Sequence, residues 1–97
     1  MNEVSKLAEL RKLLFGMEQA LGLQELSPAE RDIFYAAADL AERHPNIRTT
    51  GLMEHALVSD ISRPTFFRAL KSLVNKGYLS HASGKLRGYY VVNRRSS

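Results

Sequence analysis

Residues 26–45, LSPAERDIFYAAADLAERHP, constrain the fold more than any other stretch of the chain. Ser27 stands where a helix N-cap is wanted, Pro28 where a first-turn N–H has no helical partner, and Glu30 three residues past the serine completes a capping box. Ile33, Ala37, Leu40 and Ala41 then recur at helical spacing, which predicts one buried face. His44-Pro45 ends the pattern, because proline disfavours helical geometry in the residue before it. A chain of 97 residues with so well marked a helix in its middle is expected to build one domain around it.

The flanking segments supply the other elements. Leu7, Leu10, Leu14, Met17 and Leu21 repeat at three-four spacing, so residues 1–24 predict an amphipathic helix with a coiled-coil-like stripe. Gly16 and Gly22 weaken that helix by roughly 1 kcal/mol each, so it needs a surface to pack on. Its own domain or a second copy would serve, and the added width from Leu13, Phe15 and Ala20 suits both. We assign the stripe to homodimerisation.

After Pro45, Ile47 and Arg48 suit a very short strand. Thr49 or Thr50 then caps a short helix with Leu52, Met53, Ala56 and Leu57 turned inward. Ser62 caps a third helix that tolerates Pro64 in its first turn, runs to Lys76 and stops at Gly77. Two β segments, 78–83 and 86–93, follow around a Ser83-Gly84-Lys85 turn, and Gly88 marks a bulge or a close backbone approach. The expected class is mainly α with a small β-hairpin.

Charge divides the chain. All ten acids and six of the Lys/Arg residues lie in residues 1–60, a balance of −4, whereas residues 61–97 carry eight Lys/Arg and no acid. A one-sign segment of that length attracts a polyanion, although a plain solvated basic face fits composition equally well. The third helix separates the two readings. At 100° per residue Phe66, Ala69, Leu70 and Leu73 fall on one side, and Arg68, Lys71 and Asn75 fall opposite, with Thr65 and Ser72 at the edge. An apolar anchor behind a cationic, hydrogen-bonding face suits entry into a major groove, where arginine reads guanine and asparagine reads adenine. Phe67 and Val74 lie on the flank, where they would widen the core contact or meet the N-terminal helix.

The order of elements, together with SRPTFFRALKSLVNKGYL at 62–79, resembles the winged helix-turn-helix domain of bacterial transcriptional regulators of the MarR-like kind. The resemblance covers residues 27–93. It implies a three-helix core plus wing, with 62–76 as the recognition helix and 78–93 as the wing, and residues 94–97 are left as a basic tail. DNA contacts would then fall to Ser62, Arg63, Pro64, Thr65, Arg68, Lys71, Ser72 and Asn75, phosphate contacts to Arg48, Thr49 and Thr50, and wing contacts to Lys85 and Arg87. Two departures stand out: the inter-helix turn LVSDIS is long and lacks glycine, and the MarR-like plan's C-terminal dimerisation helices have no counterpart here. A dimer would therefore use the N-terminal helix or another surface, and the helix is the expected one. Double-stranded DNA is the expected partner, with an acidic protein bound by a winged-helix interaction module as the alternative and RNA as a lesser variant.

Other chemistry finds little footing. Cysteine is absent, which removes disulfides and thiolate metal sites. His44, His55 and His81 are too scattered for a metal motif, and no phosphate-binding glycine loop occurs. No enzyme activity and no cofactor are expected. Charges interrupt every apolar run in residues 1–20, so neither a signal peptide nor a membrane span is predicted, and the expected location is cytoplasmic.

Overall fold

The computed structural model describes residues 2–82 and 87–93. Its elements are α1 (Glu3–Ala20), a 3-10 turn (Leu23–Glu25), α2 (Pro28–Ala41), β1 (Ile47–Arg48), α3 (Thr49–Glu54), α4 (Arg63–Asn75), β2 (Leu79–His81) and β3 (Tyr89–Val92). The protein is mainly helical, with one small antiparallel sheet.

The expected capping box closes α2. The Ser27 N–H donates to Glu30 Oε1 at 2.7 Å, and the Glu30 N–H donates to Ser27 Oγ at 3.2 Å. The helix ends at Ala41, short of His44, with the His44 N–H closing back onto the Leu40 carbonyl at 3.0 Å. Ile33, Ala36 and Ala37 of α2 are buried against Phe66, Ala69, Leu70 and Leu73 of α4. Alanines on the α2 side let the two helices approach closely, and the large side chains of α4 fill the space between. Leu23 and Leu26 close one end of this core, and Ile47, Leu52, Val58, Tyr78 and Leu79 complete it.

The sheet has three strands in the order β1-β3-β2. The hairpin expectation holds for β2 and β3, which pair antiparallel with Leu79 opposite Val92 and His81 opposite Tyr90. The short strand at Ile47 and Arg48 joins the far edge of β3, opposite Tyr90 and Tyr89. That pairing ties the α2–α3 connection to the hairpin. Gly88 makes it possible: its φ of 75° is in the left-handed region favoured by glycine, and its carbonyl accepts both the Thr49 N–H and the Thr49 hydroxyl at 2.9 Å.

Three sequence expectations are corrected. Thr49 and Thr50 do not cap α3: Arg48 is at the N-cap and gives no side-chain bond, because Thr49 turns both its donors to Gly88. Ala56 and Leu57 are exposed, Leu57 by 48%, since α3 ends at Glu54 and the following turn buries Val58 instead. Last, the predicted helix over 1–24 stops at Ala20, where Gly22, with φ 73°, turns the chain into the 3-10 turn.

His55 stands at the C-cap of α3, where that helix ends after Glu54. Its Nδ1 accepts the Leu57 N–H at 3.1 Å, while Nε2 lies 2.8 Å from Asp39 Oδ2 on α2. With Nδ1 accepting, the ring proton sits on Nε2 and is donated to Asp39. The His55 hydrogen bond holds the Asp39 carboxyl below its ordinary pKa.

Candidate nucleic-acid interface

Helix α4 begins as its sequence dictates. Ser62 adopts extended backbone at the N-cap, its Oγ accepts the Thr65 N–H at 3.4 Å, and its hydroxyl donates to Thr65 Oγ1 at 2.9 Å. Pro64 occupies the first turn. The inward face is the predicted one, with Phe66, Ala69, Leu70 and Leu73 all buried. Outward, Arg63, Pro64, Thr65, Arg68, Lys71 and Asn75 are exposed. The amphipathic split read from the sequence therefore holds for the helix as folded.

A second set of cationic groups stands at the β1–β3 edge. The Arg48 guanidinium lies over the Tyr89 ring, 5.8 Å from its centroid, which holds a long side chain flat against the sheet while its charge stays exposed. Thr49 is half-buried and committed to Gly88, Thr50 is exposed beside it, and Arg87 is exposed next to Gly88. The Thr49–Gly88 clasp thus brings Arg48 and Arg87 to one end of the sheet. Lys85 lies outside the described residues.

Not every cation of the acid-free segment is available. Lys76 reaches across to α2 and bonds Glu30 Oε1 and Oε2 at 3.3 and 3.1 Å. Burial alone would raise the Glu30 pKa, but hydrogen bonds from Ser72, the Ser27 backbone, Lys76 and the Ser27 hydroxyl together hold it down at about 2. Ser72 is half-buried at the edge of the outer face, near enough to this carboxylate to help lower its pKa. The helical wheel contains the signal for both residues. Lys76 falls beside Ala69 on the inner side and Ser72 at the same edge, whereas a count of charges by segment ignores direction. Among the described residues the salt bridges between charged groups are Arg31–Glu18 and Lys76–Glu30, and His55 pairs with Asp39 through its ring N–H. Arg48, Arg63, Arg68, Lys71 and Arg87 take part in none of them.

Phe67 departs from its expected packing role. It is 44% exposed, meeting the edge of Phe66 at 5.1 Å between centroids, while Val74 is half-buried against the core. The predicted stripe of α1 is likewise uncovered: Leu7, Leu10, Met17 and Leu21 are at least 60% exposed and Leu14 is 40% exposed.

The arrangement can present positive charge and hydrogen-bond donors to a polyanion from a rigid helix and a clasped sheet edge. Among the described residues no group of three or more metal-ligating side chains gathers, and no helix is long and apolar enough to cross a membrane. Set beside protein-family models, curated proteins and solved structures, the chain matches none.

Proposed function

We propose that the chain is a bacterial-type winged helix-turn-helix transcriptional regulator that binds double-stranded DNA as a homodimer. In this reading α4 is the recognition helix in the major groove, and the β2–β3 hairpin is the wing on the backbone or in the adjacent minor groove. Arg68, Lys71 and Asn75 read bases, and Ser62, Arg63 and Thr65 hold phosphates at the helix start. Arg48, Thr50 and Arg87 grip the backbone at the sheet edge.

One observation carries the reading: the outer face of α4 holds Arg68 and Lys71, with Arg63 at the helix start, all exposed and free of carboxylate partners, on a helix whose inner face is locked into the core. Exposed cations without acids between them are what a phosphate lattice selects, and a helix fixed by four buried side chains holds them in a constant geometry. Selection of bound sequences from a random duplex pool, followed by gel-shift titration of variants, tests it. Arg68→Ala should cost about 1–3 kcal/mol on the selected site and relax its sequence preference, whereas Arg87→Ala should weaken all duplexes alike. Unchanged affinity in both variants would refute the proposal.

Phe67 supports one other reading. An aromatic ring 44% exposed on the flank of the cationic face suits a protein partner with an acidic rim and an apolar pocket. Under that reading Phe67→Ala abolishes binding to such a partner, and duplex DNA shows no salt-sensitive association.

A further inference from the structure

Helix α1 leaves the rest of the fold with most of its apolar surface in water. Its contact with α2 runs along one edge, where Arg11, Leu14, Phe15 and Glu18 face Pro28, Arg31, Asp32 and Tyr35 across a cleft. Glu18 anchors that edge. Buried to 8% exposure, it accepts the Tyr35 hydroxyl and lies 3.4 Å from Arg31 Nη1. An acidic side chain at one edge of the leucine stripe thus marks the edge that turns inward.

The opposite edge has no cover. Leu10, Leu13, Met17 and Leu21 are 60–65% exposed and lie within an arc of about 80° on the helical wheel. From Leu7 onward that arc carries no charge. The sequence stripe of Leu7, Leu10, Leu14, Met17 and Leu21 is therefore rotated in the folded chain: Leu14 turns toward α2 and Leu13 replaces it on the free side.

We infer that this free edge, Leu10-Leu13-Met17-Leu21 with Leu7 at its end, is the surface on which a second copy of the chain packs. Area supports that occupant. At about 100 Å² for each covered side chain, these five supply on the order of 500 Å² of apolar surface per protomer. A stable interface buries about 800 Å² per partner, about 60% of it apolar, so the edge supplies about the apolar area that one interface needs. Charge also supports it. An uncharged seam meets itself without repulsion, while a strongly acidic or basic partner would find no counter-charge in it. A lipid surface is disfavoured because α1 carries three acids, Glu3, Glu9 and Glu18, against three bases, Lys6, Arg11 and Lys12, and so has no net attraction to anionic headgroups.

This inference supplies the contact surface for the homodimer proposed above and rests on that part of it, but its test needs no DNA. The natural chain lacks cysteine, so single Leu13→Cys and Phe15→Cys variants report one edge each. Light scattering on the wild-type chain should give twice the 10.9 kDa protomer mass, and Leu13→Glu combined with Met17→Glu should halve it without changing the near-ultraviolet signal of the core tyrosines. Under mild oxidation Leu13→Cys should crosslink and Phe15→Cys should not. A wild-type monomer at every concentration up to the solubility limit, a larger assembly, or crosslinking through position 15 instead of 13 would overturn the inference. A monomer that still bound duplex DNA with salt sensitivity would refute this surface while leaving the DNA reading intact.

Discussion

Helices α1 and α4 have similar leucine and phenylalanine content, yet one keeps these side chains in water and the other buries them. In α4, Phe66, Leu70 and Leu73 are at most 2% exposed, whereas in α1, Leu7, Leu10, Leu13 and Met17 are all at least 60% exposed. The difference lies in what each helix meets. Helix α4 packs along α2 through alanines that leave room for its large side chains, and α1 touches the body chiefly through the polar Glu18 cluster. Apolar periodicity therefore announces that a helix wants a partner, and only the fold says whether the same chain provides it.

Deleting a core side chain should separate the two helices most sharply. Phe66→Ala removes a ring with 1% exposure and should cost about 3–5 kcal/mol, a large part of the roughly 5–15 kcal/mol that holds a domain folded. Leu10→Ala in α1 should change the unfolding free energy of the dilute monomer, measured by urea titration, by less than about 0.5 kcal/mol. Equal losses would break the comparison.

Next in size is the buried ion pair inside the body. Glu30 has a folded pKa of about 2 against an ordinary 4.5, so its contribution is complete above pH 4.5 and is lost as pH falls from there toward 2. Allowing for the half-open Lys76 side of the pair, the contribution should be roughly 2 kcal/mol. Glu30→Gln should remove that acid-dependent part of the stability curve and leave the remaining acid sensitivity to other carboxylates.

The Glu18 cluster should give a smaller effect at the opposite end of the pH scale. Burial first, and then the hydrogen bond to Glu18 and its charge, push the Tyr35 hydroxyl up to about 12. Its stabilising share is present below pH 10 and lost as pH rises from 10 to 12. In a tyrosinate absorbance titration, Tyr35→Phe should delete the latest-titrating component. It should also loosen α1 more than the core, read as faster amide exchange in α1 alone.

The smallest expected effect is at the turn before α4. His55→Ala removes the acceptor for the Leu57 N–H and the link to Asp39, and should lower Tm by roughly 4 °C.

Much of this was legible in the sequence because local chemistry and periodicity agreed. Ser27, Pro28 and Glu30 announce α2, Ser62 and Pro64 announce α4, and the inner face of α4 follows from spacing alone. The errors arose where a residue's partner lies far along the chain. Thr49 looks like a cap until Gly88, 39 residues away, claims both its donors. Lys76 counts as a free cation until Glu30, 46 residues earlier, pairs with it. The inward placing of Ala56 and Leu57 assumed that α3 continued, when it ends after Glu54. Of the proposed contact residues, Arg68, Lys71 and Asn75 needed only a helical wheel, whereas Arg63 followed from the resemblance and bringing Arg48 and Arg87 together required the β1–β3 pairing.

The salt dependence of duplex binding tests the cationic face most directly. Log affinity against log salt, followed by fluorescence anisotropy on a labelled duplex, should fall with a slope of about −4 to −5 per protomer, and Lys71→Ala should reduce that slope by about 1. A flat dependence in the wild-type chain, or a slope that ignores Lys71→Ala together with Arg63→Ala, would contradict a duplex-binding role for the outer face of α4.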